Sequence, residues 1–473
     1  MFQVLSLNEI SQCFYGPNII LAIALAIVLQ TLGGHARGWA DEDLPPLPAH
    51  PVDSTDDVDD HAELTVLRQR LENLEHLFSK QQQEAEKKQA SAAKKPTVNW
   101  TGQLQLDTYF IDQDEINKMT YGDAKNGMAF RRARFGMFGE HGPTQYRLEF
   151  DFAQSGRPTF LDVWGAYTGL PGIDSIKFGH FFEPFSMERQ TSNRFQTFME
   201  RSSMDQAFSP VRNSGVAIQK VFEDEAGTFN TGIFRSDSDV FGDDTGDNFE
   251  WAWTSRLTWL PWYDDTTGDD YLHLGTGYSL RGANAEQARF RAQPESREGT
   301  TIPNIPFFVD TGAIPSSYYQ MLNGELAWCR GPFLLHGEWT LTVVDRIDRP
   351  AVLLHGGFVN FSYLLTGEHR PYRKQAATFD RVIPLRDALK KSASARDVEW
   401  GPGAWEIAFR WSYLDLSDDT VLGGELTDLT FGLNWYLTPY TRMTTNYVHA
   451  IADHPVTGRS HANIFGIRWG YEF

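Results

Sequence analysis

From Trp100 onward, large apolar residues recur at every second position in segments of about ten residues, separated by Gly, Asp, Asn and Pro. "AWEIAFRWSYL" places Trp405, Ile407, Phe409, Trp411 and Tyr413 on one face and Glu406, Ala408, Arg410 and Ser412 on the other. "TQYRLEFDF" sets Tyr146, Leu148, Phe150 and Phe152 against Gln145, Arg147, Glu149 and Asp151, and "DLTFGLNWYL" repeats the pattern. A period of two is that of a β-strand, whose successive side chains point to opposite faces. The final residues, "IFGIRWGYEF", hold Phe465, Ile467, Trp469, Tyr471 and Phe473 in one row. A row of large aromatics suits a strand facing lipid, where aromatics gather at the interface. Counting back from Phe473 predicts strands near 464–473, 440–450, 427–438, 403–415, 355–368, 335–344, 317–328 and 270–282. Eight more fall near 249–261, 228–236, 213–222, 173–182, 160–169, 144–153, 129–139 and 99–111. The expectation is an all-β, sixteen-stranded antiparallel transmembrane barrel over 97–473, its polar face lining a wet lumen.

Strand direction follows if the last strand ends in the periplasm. The short connections "TPY", "CRGP", "EHGP" and "LPGID" then fall on the periplasmic side. The long ones, 112–128, 183–212, 237–248, 283–316 and 451–463, fall outside. Residues 369–402, with the helix-like "DRVIPLRDALKK", break the rule as a long periplasmic connection and predict a small docked element.

Ahead of the barrel the pattern changes twice. Leu64, Leu67, Leu71, Leu74 and Phe78 follow heptad spacing, which predicts a short coiled-coil helix and linker over 62–96. Before it, residues 41–61 carry acids without a base and read as an extended linker. "IILAIALAIVLQTL", followed by "GHARGWADED", reads as the core of a signal peptide spanning 1–40, although no Lys or Arg precedes it. A single-pass anchor is the rival reading of that stretch. Composition agrees with export to an outer membrane: aromatics reach 14% while mean hydropathy is −0.40, which excludes a bundle of membrane helices. Removal of a leader containing Cys13 leaves Cys329 alone, so no intramolecular disulfide is expected.

The third outer connection, "EPFSMERQTSNRFQTFMERSSMDQAFSPVR", is aromatic and arginine-bearing, unlike the acidic "SDSDVFGDDTGDN". Burying Phe185, Phe195, Phe198 and Phe208 requires the loop to fold against the lumen wall. That would present Arg189, Arg194, Arg201 and Arg212 where solute passes. Guanidinium groups bind oxyanions in two-point geometry and stay charged at any accessible pH. The competing reading pairs these arginines with Glu183, Glu188, Glu200 and Asp205, stitching the loop to itself.

"FRRARFGMFGEHG", "DVWGAYTGLPGIDSIKFGHFFEPFSMERQTSNRFQTFMERSSMDQAFSPVRNSGVAI", "SYLLTGEHRPY" and "LTDLTFGLNWYLTPYTRMTTNYVHA" resemble the phosphate-selective porin O and P family over roughly residues 99–473. The resemblance implies a trimeric sixteen-stranded barrel with an inward-folded third loop and an arginine-lined path for small anions, phosphate being the candidate. It carries Arg132 and Arg134 from "FRRARFG", together with Arg189, Arg194 and Arg201, into the pore. Strand parity adds Arg147 and Lys177. The terminal row Phe465, Ile467, Trp469, Tyr471 and Phe473 resembles the signal read by the outer-membrane insertion machinery in porins generally. Partners are then the lipid bilayer, that machinery and two further copies of the chain, with no nucleic acid.

The net charge of −20 pulls against an anion path, and a lysine-rich vestibule is not evident. A general or cation-leaning porin is therefore the alternative, as is a barrel anchor tethering the envelope through its linker and coiled coil. The thirteen His are scattered without HExxH spacing, so no enzyme, cofactor or metal is expected. The acidic residues Asp237, Asp239, Asp243, Asp244 and Asp247 lack the spacing of a defined calcium loop.

Overall fold

The computed structural model describes Lys80 and residues 95–473, except 154–156, 238, 243–249, 298–304 and 392–397. The expected leader, acidic linker and heptad seam therefore lie outside the described residues. Everything below belongs to the unit 86–473.

Sixteen long strands follow one another along the chain. They are β1 (Asn99–Gln113), β2 (Gly127–His141), β3 (Thr144–Asp151), β4 (Thr159–Thr168), β5 (Ser175–Phe182), β6 (Arg212–Val221), β7 (Gly227–Arg235) and β8 (Trp251–Tyr263). They continue as β9 (Asp270–Gly282), β10 (Ile314–Arg330), β11 (Phe333–Arg346), β12 (Val352–Leu364), β13 (Ala404–Asp418), β14 (Val421–Thr438), β15 (Thr441–His454) and β16 (Gly458–Glu472). Each pairs antiparallel with its neighbours in sequence. β1 closes on β16 in the register Gln103↔Glu472 through Gln113↔Ala462. Closure matters because an unpaired backbone group in hydrocarbon costs several kcal/mol. The seam is finished by reciprocal bonds between Gly102 and Phe473, N···O 3.0 and 3.2 Å. A Cβ on Gly102 would lie 2.2 Å from the Phe473 ring, so only glycine admits the terminal aromatic there.

Polarity is inverted relative to a soluble protein. Trp100 and Ile233 are about 60% exposed on the outer face (59% and 62%), whereas Arg256 and Arg410 are 1% exposed within. Phe465, Trp469, Tyr471 and Phe473 are exposed and Ile467 is half-buried, all on the outer face of β16. Alternation fails at one informative place. The β1–β2 register skips Arg131 opposite Gln105 and Leu106, a bulge that turns both Arg131 and Arg132 inward.

Three connections enter the lumen. Residues 183–211 carry two short helices, α1 (Met187–Gln190) and α2 (Ser203–Phe208). The described residues of the 283–313 connection bring Phe290, Ala292, Ile305 and Phe308 against Phe208, Met204 and the inner faces of β11–β16. Residues 365–391 bring Tyr372, Ala377 and Phe379 against Met187, Leu260, Tyr271, Cys329 and Leu334. This last segment is where a helix-like stretch was expected, and 380–388 is not helical. Pro384 has no N–H to donate and disfavours helix in the residue before it. The chain forms a hairpin instead, pairing Tyr372–Arg373 with Thr378–Phe379. The lumen is thus packed with side chains along β8–β16 and open along β2–β7.

Candidate functional site

Serines start both short helices of the third outer connection. Ser186 Oγ accepts from Arg189 N–H at 3.1 Å, and Ser202 Oγ accepts from Asp205 N–H at 3.1 Å. With its turns so fixed, the connection turns its acids toward the barrel wall. Glu183 meets Arg281 at 2.6 Å, Glu200 meets Arg131 at 2.9 Å and Arg468 at 2.6 Å, and Glu188 meets Arg410 at 3.2 Å. Asp205 stays with its own segment, holding Arg189 at 2.8 Å and Arg201 at 3.6 Å, and Glu188 also accepts from Ser202 Oγ at 2.6 Å. Arg201 also donates to the carbonyls of Glu188, Arg189 and Thr191. The internal stitching that sequence allowed therefore holds for two of the four arginines. Wall arginines take up most of the loop acids.

Glu188 is the exception to clean pairing. Burial, and then the nearby Asp205 carboxylate, push it from 4.5 up to about 7, with Arg410 pulling the other way. The native state then holds this proton more tightly than the unfolded chain, so stability falls as pH rises from about 4.5 to 7. Comparing wild type with Glu188→Gln isolates this group. The difference in thermal unfolding is expected to shift by up to about 3 kcal/mol over that interval, wild type weakening toward pH 7. Parallel profiles would contradict it.

The arginines and lysine left over meet in the open part of the lumen. A cavity of about 260 Å³ is lined by Arg134, Arg147, Lys177, Arg194, Arg212 and Arg373, with Glu149 and Asp162 as its carboxylates. Arg212 holds Asp162 at 2.9 Å, and Arg147 and Arg194 share Glu149 at 2.8 and 3.2 Å. Arg134 is held from behind by Asp151 at 2.9 Å and by Asn193 Oδ1 at 2.8 Å. Lys177 differs: its ammonium sits 4.5 Å over the Trp164 ring and 5.2 Å from Phe181, with no carboxylate in ion-pair reach among the described residues. Gly179, at φ +125, lies between Lys177 and Phe181, where a Cβ would be 2.4 Å from the Val163 carbonyl. A second cavity of about 140 Å³ shares Lys177, Phe181, Phe182 and Gln190 with the first and runs on past Gln219 and Asn230. Strand position orders the cations by depth. Arg212 opens β6 at the end that carries the long connections, while Lys177 and Arg147 lie near the starts of β5 and β3, at the end closed by short turns.

Five of the eight sequence-chosen cations thus line one cavity: Arg134, Arg147, Lys177, Arg194 and Arg212. Arg189 and Arg201 stand behind it, 5.9 and 5.7 Å from the Phe182 ring that Arg212 covers at 3.8 Å. Arg132 is buried elsewhere, 2.6 Å from Gln105 Oε1 and 3.7 Å from Glu200. Sequence reasoning passed over Arg256, Arg410 and Arg468, although each has the parity opposite the lipid-facing aromatics of its strand. That parity was the available signal. Arg373 offered none, since it sits in a connection without periodicity.

The sequence model described as phosphate-selective porin O and P matches residues 98–473. Porin O of Pseudomonas aeruginosa is 23% identical over 365 residues, covering 70% of this chain and 78% of that protein. An uncharacterized protein of Caulobacter vibrioides is 25% identical over 364 residues, covering 73% and 67% of the two chains. Among solved structures, the trimer form of OmpT of Vibrio cholerae aligns with 80% of this chain and 99% of its own, at a TM-score of 0.49 and 13% identity. The family match spans the whole closed barrel, so this chain belongs to the phosphate-selective porin O and P family and is an outer-membrane channel protein rather than an enzyme.

Proposed function

We propose that this porin passes small anions, oxyanions such as phosphate among them, along the β2–β7 side of its lumen. The observation that carries the reading is the cavity in which six cationic side chains face two carboxylates. Guanidinium forks on Arg134, Arg147, Arg194 and Arg212 offer paired donors to an oxyanion that has shed part of its hydration. Glu149 and Asp162 temper that attraction, and a path conducts only if its sites release what they bind. Lys177, over two aromatic faces, is the point charge common to both cavities. The acidic excess of the chain does not argue against this, because the lining of the narrow part decides which ion passes.

The same reading has the chain exported by residues 1–40, seated in the outer membrane by the apolar outer face, recognised through the Phe465–Phe473 row, and assembled as a homotrimer. The test is a planar bilayer holding purified protein under a KCl gradient, with phosphate added afterwards. A reversal potential near the chloride equilibrium, with chloride current blocked by phosphate, is the expected result. A reversal potential near the potassium equilibrium would overturn the reading.

A further inference from the structure

The periplasmic hairpin Tyr372–Phe379 carries a cation into the path from a segment that no strand of the barrel supplies. Arg373 lines the larger cavity, and Ala376, three residues on, lines the second. The tip of the hairpin therefore stands between the two at the periplasmic side.

Its position is held from several directions. At the base, fully buried Arg370 donates to the Phe195 carbonyl at 2.9 Å and pairs with Glu406 at 2.7 Å, joining the third outer connection to β13. Along the hairpin, Tyr372 Oη lies 2.7 Å from His273 Nδ1 of β9. Arg256 of β8 donates to the Ala377 carbonyl at 2.9 Å, and Phe379 meets His336 edge-on at 5.1 Å. At the tip, Gln219 of β6 donates to the Gln375 carbonyl at 2.7 Å and Gln375 donates to Glu225 at 2.8 Å. Lys374 pairs with Asp265 in the β8–β9 turn. A segment tied to β6, β8, β9, β11 and β13 is a fixture of the lumen and not a swinging flap.

Arg373 is the part of this fixture left free to meet solute. Its side chain is 57% exposed, and its only carboxylate in reach among the described residues is Asp380 at 3.9 Å. Arg147, by comparison, is 29% exposed and holds Glu149 at 2.8 Å. We propose that the hairpin is a fixed periplasmic filter and that Arg373 is its specificity-determining charge, the last cation an oxyanion meets before release. The inference rests on the anion path proposed above and adds a side to it. Because Arg373 enters from the periplasmic mouth, it acts on anions approaching from that mouth more than on those arriving through Arg212 and Arg134.

The experiment compares wild type, Arg373→Gln and Arg373→Glu as single channels in a planar bilayer, with phosphate added to one side at a time. Arg373→Glu is expected to weaken phosphate block roughly threefold or more from one side only and to make the chloride current rectify. Arg373→Gln should fall between it and wild type. Unchanged heat-modifiable mobility on gels shows that each variant has folded. Equal weakening from both sides, or no change from either, overturns the inference while wild-type anion selectivity stands. Cation selectivity of the wild type would instead sink the proposed anion path itself.

Discussion

Replacing Lys177 by Glu is expected to shift the reversal potential away from the chloride equilibrium and to weaken phosphate block by at least about tenfold. Two unit charges about 8 Å apart at an effective dielectric of about 20 interact by about 2 kcal/mol, more than the 1.4 kcal/mol of one decade. The substitution removes a cation without an ion-pair partner among the described residues and adds a carboxylate to a lining that already holds Glu149 and Asp162. Lys177 also lines both cavities, so the substitution changes the charge seen in each. Lys177→Gln should give an intermediate value, because it deletes the charge without reversing it. The measurement is the zero-current potential in a KCl gradient, with phosphate titrated on both sides. An unchanged potential would mean that ions pass elsewhere.

Arg468→Ala is expected to act on assembly. Arg468 holds Asp107 at 2.5 Å and Glu200 at 2.6 Å and donates to the Met199 carbonyl, so one guanidinium joins β16, β1 and the third outer connection. Asp107 is fully buried and has no other cation within ion-pair distance among the described residues. Removing one partner of a buried pair leaves the other charge stranded, at a cost of about 3–5 kcal/mol. The temperature at which folded protein converts to the slow gel form should fall markedly. Single-channel conductance should rise in the fraction that folds, since Glu200 keeps only Arg131 and Arg132. Arg468→Lys should recover part of the stability, because an ammonium can hold one carboxylate but lacks the fork that serves two. Wild-type melting in Arg468→Ala would refute this account of how the lumen is held.

Most of the fold was legible because lipid imposes a simple rule. Each of the sixteen strands expected from apolar alternation is present, from Asn99–Gln113 to Gly458–Glu472, with ends displaced by a few residues. Turns do not obey that rule, and the one serious misreading fell in a turn. The stretch 380–391 has helix-like spacing of Val382, Leu385, Ala388 and Leu389, but Pro384 and the docking of Tyr372 and Phe379 against the inner wall decided its path. The site was partly legible for a related reason. Arg147 and Lys177 followed from parity alone, and Arg134 and Arg194 from family resemblance. Which arginines would remain available to solute depended on pairing across long sequence separations, such as Arg131 with Glu200 or Arg410 with Glu188. Spacing along the chain carries no record of that. Arg132 illustrates the point: the bulge at Arg131 changes what an inward parity means for its neighbour.

The division of the lumen also orders the chain itself. The open flank is built from consecutive strands between Gly127 and Arg235, plus one loop and one hairpin tip, whereas the packed flank takes the remaining two-thirds of the barrel. Substitutions inside that block therefore register as altered current and selectivity. Apart from the Arg373 tip and from anchors of the third outer connection such as Arg468, substitutions beyond it register as lost yield or a lower melting temperature. In genetic terms the transport phenotype maps mainly to one short interval and to the hairpin tip at Arg373, and drift elsewhere is limited chiefly by folding.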